Sequence, residues 1–115
     1  MSFRPVTVAE TWEFRRNAER FMSNPEIDVL IEYLAYHPTA GDVIEGAGGI
    51  RKLRWALQGR GKRGGARAIF YYQEARYPLL AITIFAKNAK PDLTAAERSG
   101  LKKLVDMLKR ERRRK

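Results

Sequence analysis

Hydrophobic side chains recur along this chain at two different spacings, and the wider spacing predicts three helices. A spacing of three to four residues is typical of the buried side of a helix, and it predicts a first helix over about residues 9–22. A second helix is expected to begin at Asn24 and to end at His37, because each is followed by proline. Thr94 and Glu97 form a capping box at the start of a third helix. The three apolar stripes comprise Phe14, Ala18, Phe21 and Met22, then Ile27, Leu30, Ile31 and Leu34, and finally Leu101, Leu104, Val105 and Leu108.

Shorter stretches rich in β-branched and aromatic residues predict four strands. They span residues 3–8, 50–57, 66–73 and 79–85. Pro5 confines the first of them to a sheet edge or a strand end. Glycine-rich connections are expected over residues 41–49 and 58–65.

The resulting order of elements is β-α-α-β-β-β-α, which describes a small α+β domain over residues 1–115. Short links between the last three strands predict an antiparallel meander, with the first two helices packed on the sheet as a hairpin. The strand over residues 79–85 is almost wholly apolar and is therefore expected at the centre of the sheet. The basic residues 110–115 are expected to form a frayed tail.

Composition removes several classes of function. The chain has no cysteine and a single histidine, His37, so neither a cysteine-ligated zinc nor a histidine-based site is expected. We therefore predict that the protein uses no metal and no other cofactor. No apolar run approaches membrane-spanning length and the first residues lack a signal-peptide pattern, so we expect a cytoplasmic protein without a membrane segment.

Charge is distributed unevenly and indicates a polyanionic partner. The formal net charge is +10, yet residues 1–50 carry eight acidic and only four basic side chains. The densest positive stretch, residues 48–67, has seven basic side chains and no acidic one, which favours nucleic acid. Residues 59–64 also match G-x-G-x-x-G, but a predicted strand follows them where a dinucleotide site requires a helix. We expect RNA contacts from Arg51, Arg60, Lys62, Arg63, Asn88 and Lys90.

Alternation along the predicted strands brings four further cations together. Lys52 and Arg54 share one face of their strand, whereas Leu53 points to the other face with Arg51. Arg67 opens the next strand and Lys87 follows the last one, so these two side chains could join Lys52 and Arg54 on one open surface. The alternative is a row of solvated strand residues.

Such a cluster is chemically sufficient to cleave RNA through its own 2′-hydroxyl. The reaction requires a base for the 2′-OH, positive charge for the phosphorane and an acid for the 5′-oxygen. Crowding among like charges can lower a lysine pKa, and an arginine fork binds phosphoryl oxygens well. No histidine is needed.

Three motifs, GDVIEGAGGIRKLRW, GKRGGARAIFYY and LAITIFAKNAKPDL, together with the element order, resemble the RelE/HigB superfamily of type II toxins and are most similar to its HigB-like branch. The resemblance covers nearly the whole chain. It implies a ribosome-dependent mRNA endonuclease that cuts mRNA in the decoding site. It also implies a cognate antitoxin, which we expect to be a helix-turn-helix protein.

The same resemblance assigns roles to four residues. Lys52 becomes the candidate general base, Arg54 a phosphate-binding residue and Arg67 the group that stabilises transition-state charge. Lys87 is either the general acid or a further electrostatic group, and the resemblance leaves that choice open.

The chain departs from RelE in one respect, because RelE has a tyrosine shortly after this point, where the present chain has Leu93 and Thr94. Tyr71 and Trp55 could replace its ring, although both are expected in the core. A non-catalytic RNA- or ribosome-binding module and an architectural DNA-binding protein remain alternative functions.

Overall fold

The computed structural model describes residues 4–57 and 65–114. Its helices are α1 (Trp12–Ala18), α2 (Asn24–Tyr36) and α3 (Ala95–Arg113), and its strands are β1 (Val8–Glu10), β2 (Asp42–Val43), β3 (Arg51–Trp55), β4 (Ala66–Tyr71) and β5 (Leu79–Ala86). The described strands form one sheet in the order β1-β5-β4-β3-β2, in which β1 runs parallel to β5 and every other pair is antiparallel. The α+β class and the meander of β3, β4 and β5 are therefore confirmed.

The first strand begins later than predicted, at Val8. Within the described part of the earlier segment, the Val6 amide donates to the Ala35 carbonyl and the Thr7 carbonyl accepts from Leu79. The predicted first helix also starts later, because the Thr11 hydroxyl accepts a hydrogen bond from the Phe14 amide and caps α1. The boundary between strand and helix is therefore set by a local cap.

The sheet differs from the prediction in two places. The strand β2 lies inside the predicted loop over residues 41–49 and pairs with β3. Gly41 precedes it with φ of 77°, and a Cβ atom at this glycine would lie 2.4 Å from the Lys52 carbonyl oxygen. The central strand is β4, all of whose six residues are buried, and β5 lies beside it. The prediction that residues 79–85 form the central strand was wrong, because the short β1 adds only one strand beyond β5.

Helices cover both faces of the sheet, but not equally. On one face α1 and α2 enclose the larger core, which includes Phe14, Leu30, Leu53 and Phe70. On the other face α3 packs through Leu101 and Val105 on the part of β4 that carries Ile69 and Tyr71. The remainder of that second face lies beyond α3 and carries the charged residues of β3 and β4.

The third helix continues to Arg113, past the point at which the sequence predicted a frayed tail. Arg112 accounts for this difference, since its guanidinium group donates to the Gln73 side chain at 2.7 Å and lies 4.3 Å from the centre of the Tyr77 ring. These contacts hold the last turn against the β4–β5 connection. No helix in the described residues is both long enough and apolar enough to cross a membrane.

Candidate active site

The register of β3 and β4 places three of the four predicted cations on one face of the sheet. Arg54 lies directly opposite Arg67, and Lys52 lies opposite Ile69. Directly opposed residues of an antiparallel pair point to the same side, so Lys52, Arg54 and Arg67 all point to the side that α3 partly covers. Leu53 alternates with them and enters the core beneath α1 and α2.

These three side chains and Lys87 line one cleft of about 470 Å³, together with Gly41, Asp42 and Leu53. Arg54 is exposed and Lys52 and Lys87 are partly exposed, whereas Arg67 is only 7% exposed to solvent. The structure thus brings the four predicted residues together. It differs from the expected open surface in that Arg67 is buried.

Electrostatic repulsion is concentrated at the Arg54–Arg67 pair. Burial lowers the pKa of Arg67 below its ordinary value, and the nearby charge of Arg54 lowers it further, while Asp92 acts in the opposite direction. Like charges directly opposite each other on neighbouring strands destabilise a sheet. Among the described residues that line the cleft, Asp42 supplies the single carboxylate. The described lining therefore carries an excess of positive charge that would attract an anion.

Asp92, to which the sequence analysis gave no role, contacts this cluster. Its carboxylate accepts a hydrogen bond from the Lys52 amino group at 3.1 Å and contacts the Arg98 guanidinium group at 3.3 Å. The Leu93 amide donates to it at 2.7 Å. The hydrogen bond from the Leu93 amide has the largest effect on Asp92 and the hydrogen bond from Lys52 the next largest. Both hold the pKa of Asp92 below its ordinary value. In the sequence, the feature that could have indicated this contact is the position of Asp92, an acidic residue two positions before the capping residue Thr94.

The predicted RNA-binding residues fall into different regions. Arg51 lies on the opposite face from Lys52, and its guanidinium group donates to the Thr39 carbonyl oxygen at 2.9 Å. Arg51 is therefore not brought into the cleft. Asn88 is exposed in the turn after β5. Arg60, Lys62 and Arg63, with the rest of the G-x-G-x-x-G segment, lie outside the described residues.

Lys90 turns away from the cationic cleft and towards α3. Its amino group forms an ion pair with the Glu97 carboxylate and lies 5.5 Å from the centre of the Phe85 ring. Lys90 and the capping threonine, Thr94, together hold the pKa of Glu97 below its ordinary value. The predicted capping box between Thr94 and Glu97 is confirmed.

Neither aromatic residue considered as a stacking group lines the cleft. Tyr71 is 4% exposed within the core beneath α3. Trp55 packs on the opposite face, with its ring 5.2 Å from that of Tyr33. A third ring is better placed, because Phe85 lies directly opposite Arg67 on the neighbouring strand. Its position follows from the pairing register of β5, which the sequence alone did not provide.

The arrangement is suited to binding a phosphodiester. Two arginines can each present a planar fork of donors to phosphoryl oxygens, and two lysines can supply proton-transfer groups or further charge. Among the residues that the structure describes, no group of three or more histidine, cysteine or acidic side chains could hold a metal ion.

The sequence matches a family model described as the RelE toxin of the RelE/RelB toxin–antitoxin system. The match spans residues 13–115 and so includes every strand and side chain of the cleft. Toxins of this family are endoribonucleases, and each is paired with a cognate antitoxin. The chain, with its cationic cleft on a RelE-like sheet, therefore belongs to the RelE toxin family.

Proposed function

We propose that this toxin cuts mRNA in the decoding site of the ribosome, without a metal, by attack of a 2′-hydroxyl on the adjacent phosphodiester. The observation that supports this proposal is the cluster of Lys52, Arg54, Arg67 and Lys87 around one cleft. In this proposal the toxin belongs to the HigB-like branch and acts in the cytoplasm, where its substrate is.

The arginines bind and stabilise the reacting phosphate. Arg54 is exposed and meets the incoming phosphate, whereas Arg67 is buried and holds its charge at a fixed position. A fixed donor in a site that largely excludes water stabilises developing charge more strongly than a solvated one. Arg67 therefore stabilises the additional negative charge of the phosphorane.

The lysines take part in proton transfer. Lys52 first releases one proton to solvent, and as a neutral amine it then accepts the proton of the 2′-OH as the new P–O2′ bond forms. The P–O5′ bond then breaks, and the 5′-oxygen receives a proton from Lys87 or from water that Lys87 orients. The products are a 2′,3′-cyclic phosphate and a 5′-hydroxyl. Asp92 orients the Lys52 amino group through its 3.1 Å hydrogen bond.

Binding to the ribosome uses charges outside the cleft. Arg60, Lys62 and Arg63, with the basic residues 110–115, contact the ribosomal RNA backbone. Such contacts release counterions, so affinity for ribosomes should fall steeply as salt rises. The antitoxin is a helix-turn-helix protein that covers the cationic cleft or locks the apolar surface of a helix.

The proposal is tested by mapping mRNA cuts by primer extension in a translating extract, with and without ribosomes. We expect cuts only when ribosomes are present, and none with a variant in which both Lys52 and Arg54 are alanine. A charge-matched control replaces the exposed residues Arg4 and Arg16 of the acidic half with alanine, and it should still cut. Equal cutting by the two double variants would contradict the proposal.

The ion pair between Lys52 and Asp92 favours one other function, a non-catalytic ribosome-binding module. A lysine that is held by a carboxylate can bind phosphate without acting as a base. In that case the purified protein would inhibit translation while every message remained intact, and the double alanine variant of Lys52 and Arg54 would lose inhibition through weaker binding alone. Messages recovered uncut from inhibited ribosomes would establish this alternative.

A further inference from the structure

The carboxylate of Asp92 lies between two cations that come from different elements. Its Oδ1 atom accepts the hydrogen bond from the Lys52 amino group of β3 at 3.1 Å, and its Oδ2 atom lies 3.3 Å from the Arg98 guanidinium group of α3. The two oxygens are therefore divided between Lys52 and Arg98. Arg98 does not line the cationic cleft, so it acts on the cleft through this carboxylate and through its own charge.

Two features of Arg98 oppose folding. Arg98 is the fourth residue of α3, close to the positive end of the helix dipole, where an anion rather than a cation is stabilised. Its Nε atom is also buried and has no hydrogen-bond partner among the residues that the structure describes. A buried donor without a partner lowers the stability of the folded state. A conflict of this kind is expected where a side chain is kept for function.

The chemistry proposed for Lys52 requires a second cation beside Asp92. Lys52 must lose a proton to solvent before it can accept the proton of the 2′-OH. A carboxylate beside an ammonium group opposes that loss, because a nearby opposite charge favours the charged form. Once Lys52 is neutral, the carboxylate has lost a charged partner. A cation on its other oxygen keeps the negative charge paired and reduces its pull on the Lys52 proton.

Charged side chains surround Lys52 from every neighbouring element. They are Asp42 on β2, Arg54 on β3, Arg67 on β4, Lys87 after β5, and Asp92 with Arg98 beside the cleft. The three cleft cations other than Lys52 face the space in which the RNA phosphate would bind. Among the described residues, the ion pairs of Asp92 are formed with Lys52 and Arg98. Arg98 is thus the cation that stays with Asp92 when Lys52 is neutral.

From this geometry we propose that Arg98 is a positioning residue for cleavage and acts on Lys52 through Asp92. Arg98 holds Asp92 in the orientation that aims the Lys52 amino group, and it pairs with the carboxylate while Lys52 is neutral. The neutral amine still has N–H groups and keeps its hydrogen bond to Asp92. The inference rests on the proposed function, because it takes Lys52 to be the base.

The test measures the cleavage rate between pH 6 and pH 9 in ribosome complexes that are saturated with toxin, so that binding does not limit the rate. Arg98→Gln should cleave about threefold more slowly at pH 7, and the pH of half-maximal rate should rise by about half a unit. The reason is that removal of a nearby cation favours the charged form of Lys52. The difference in rate should therefore shrink as the pH rises.

Three further variants separate this role from a structural one. Arg98→Lys keeps the charge and should restore the wild-type pH profile. Lys102→Gln removes an exposed charge one turn further along α3 and should cleave like the wild type at each pH. In an Asp92→Asn background, Arg98→Gln should cause no further loss, because the carboxylate that links Arg98 to Lys52 is gone.

The outcomes distinguish the two proposals. A wild-type pH profile in Arg98→Gln, a loss that Arg98→Lys does not restore, or losses that add to those of Asp92→Asn would overturn the role of Arg98 while the proposed cleavage stood. Wild-type toxin that leaves every message intact would overturn the proposed function. Glutamine suits a helix and Arg98 is partly exposed, so Arg98→Gln should fold. If it did not, Arg98→Met, whose unbranched chain fills similar space, would carry the same test.

Discussion

The two faces of β4 differ, although alternate residues of the same six-residue strand form them. Ala66, Ala68 and Phe70 point towards α1 and α2 and are fully buried in the larger core. On the other face Ile69 and Tyr71 are covered by α3, but Arg67 lies beyond the helix and faces Arg54. The first face gains stability from burial of apolar surface, whereas the second gives up stability at one end to keep positive charge together.

The largest effect is expected on the apolar face, at Phe70. Phe70→Ala should lower the free energy of unfolding by about 3–5 kcal/mol, because it leaves a cavity between β4 and the two helices. Chemical denaturation monitored by tryptophan fluorescence measures this loss. Tyr72→Ala, at a partly buried position just beyond the end of β4, should lower the free energy of unfolding by less than Phe70→Ala does. Equal losses at both positions would show that β4 is not the centre of the core.

The next largest effect is expected at Arg67 and concerns cleavage. Arg67→Ala should lower the rate of mRNA cleavage about 100- to 1,000-fold, as expected when a fixed donor to a transition-state charge is removed. Its thermal unfolding should remain cooperative. Arg16→Ala removes an exposed charge from α1 and should cut at the wild-type rate. An Arg67→Ala protein that arrests growth as strongly as wild type would remove Arg67 from the mechanism.

A smaller effect is expected at Asp92, which holds Lys52 in position. Asp92→Asn should lower the cleavage rate about tenfold and leave ribosome affinity nearly unchanged, because the charges of the cleft remain. If Asp92 acts only through Lys52, the double variant Asp92→Asn with Lys52→Ala should cleave no more slowly than Lys52→Ala alone. Asp28→Asn breaks a comparable surface ion pair with Arg15 and serves as the control. Additive losses would assign Asp92 a role of its own.

Removing the repulsion between the opposed arginines should stabilise the fold. Arg54→Gln is expected to raise the free energy of unfolding by about 0.2–1 kcal/mol while it lowers cleavage. The melting temperature measured at low salt checks this, and added salt should reduce the difference because it screens the repulsion in the wild type. A lower melting temperature in Arg54→Gln would mean that Arg54 stabilises the sheet.

The smallest effect is expected from pH. Asp92 and Glu97 have pKa values below their ordinary range in the folded protein, so both bind protons more readily when unfolded. Their contribution to the free energy of unfolding is complete above about pH 5. It is lost below about pH 4, as the pH falls through the lowered pKa values of the folded protein. Both are partly exposed, so each ion pair is worth at most about 1 kcal/mol. Chemical denaturation at pH 6 and pH 3.5 measures this dependence. The free energy of unfolding should change less between the two pH values in the Asp92→Asn protein than in the wild type.

The sequence predicted most elements of the fold because their signals are local. The capping box at Thr94, the apolar stripes of the helices and the alternation of β3 depend on neighbouring residues. The order of strands and the short β2 depend on distant pairing, which periodicity does not determine. The sequence therefore placed the wrong strand at the centre of the sheet.

The same distinction applies to the candidate site. Alternation along β3 was enough to predict that Lys52 and Arg54 share a face, as the structure shows. The burial of Arg67 requires knowledge of the strands on both sides. The contacts of Asp92 with Lys52, and the position of Phe85 opposite Arg67, join residues that are far apart in the sequence.

The parallel pairing of β1 with β5 affects when a newly made chain can fold. Thr11 and Ile82, joined by a hydrogen bond beside this pair, are 71 positions apart. Contacts between such distant segments form late, since the intervening loop must be closed first. During synthesis the sheet cannot close until β5 has emerged, and Lys87 and Asp92 emerge later still. Under the proposed function, a nascent toxin is therefore inactive towards the message that encodes it until nearly all of the chain has been translated.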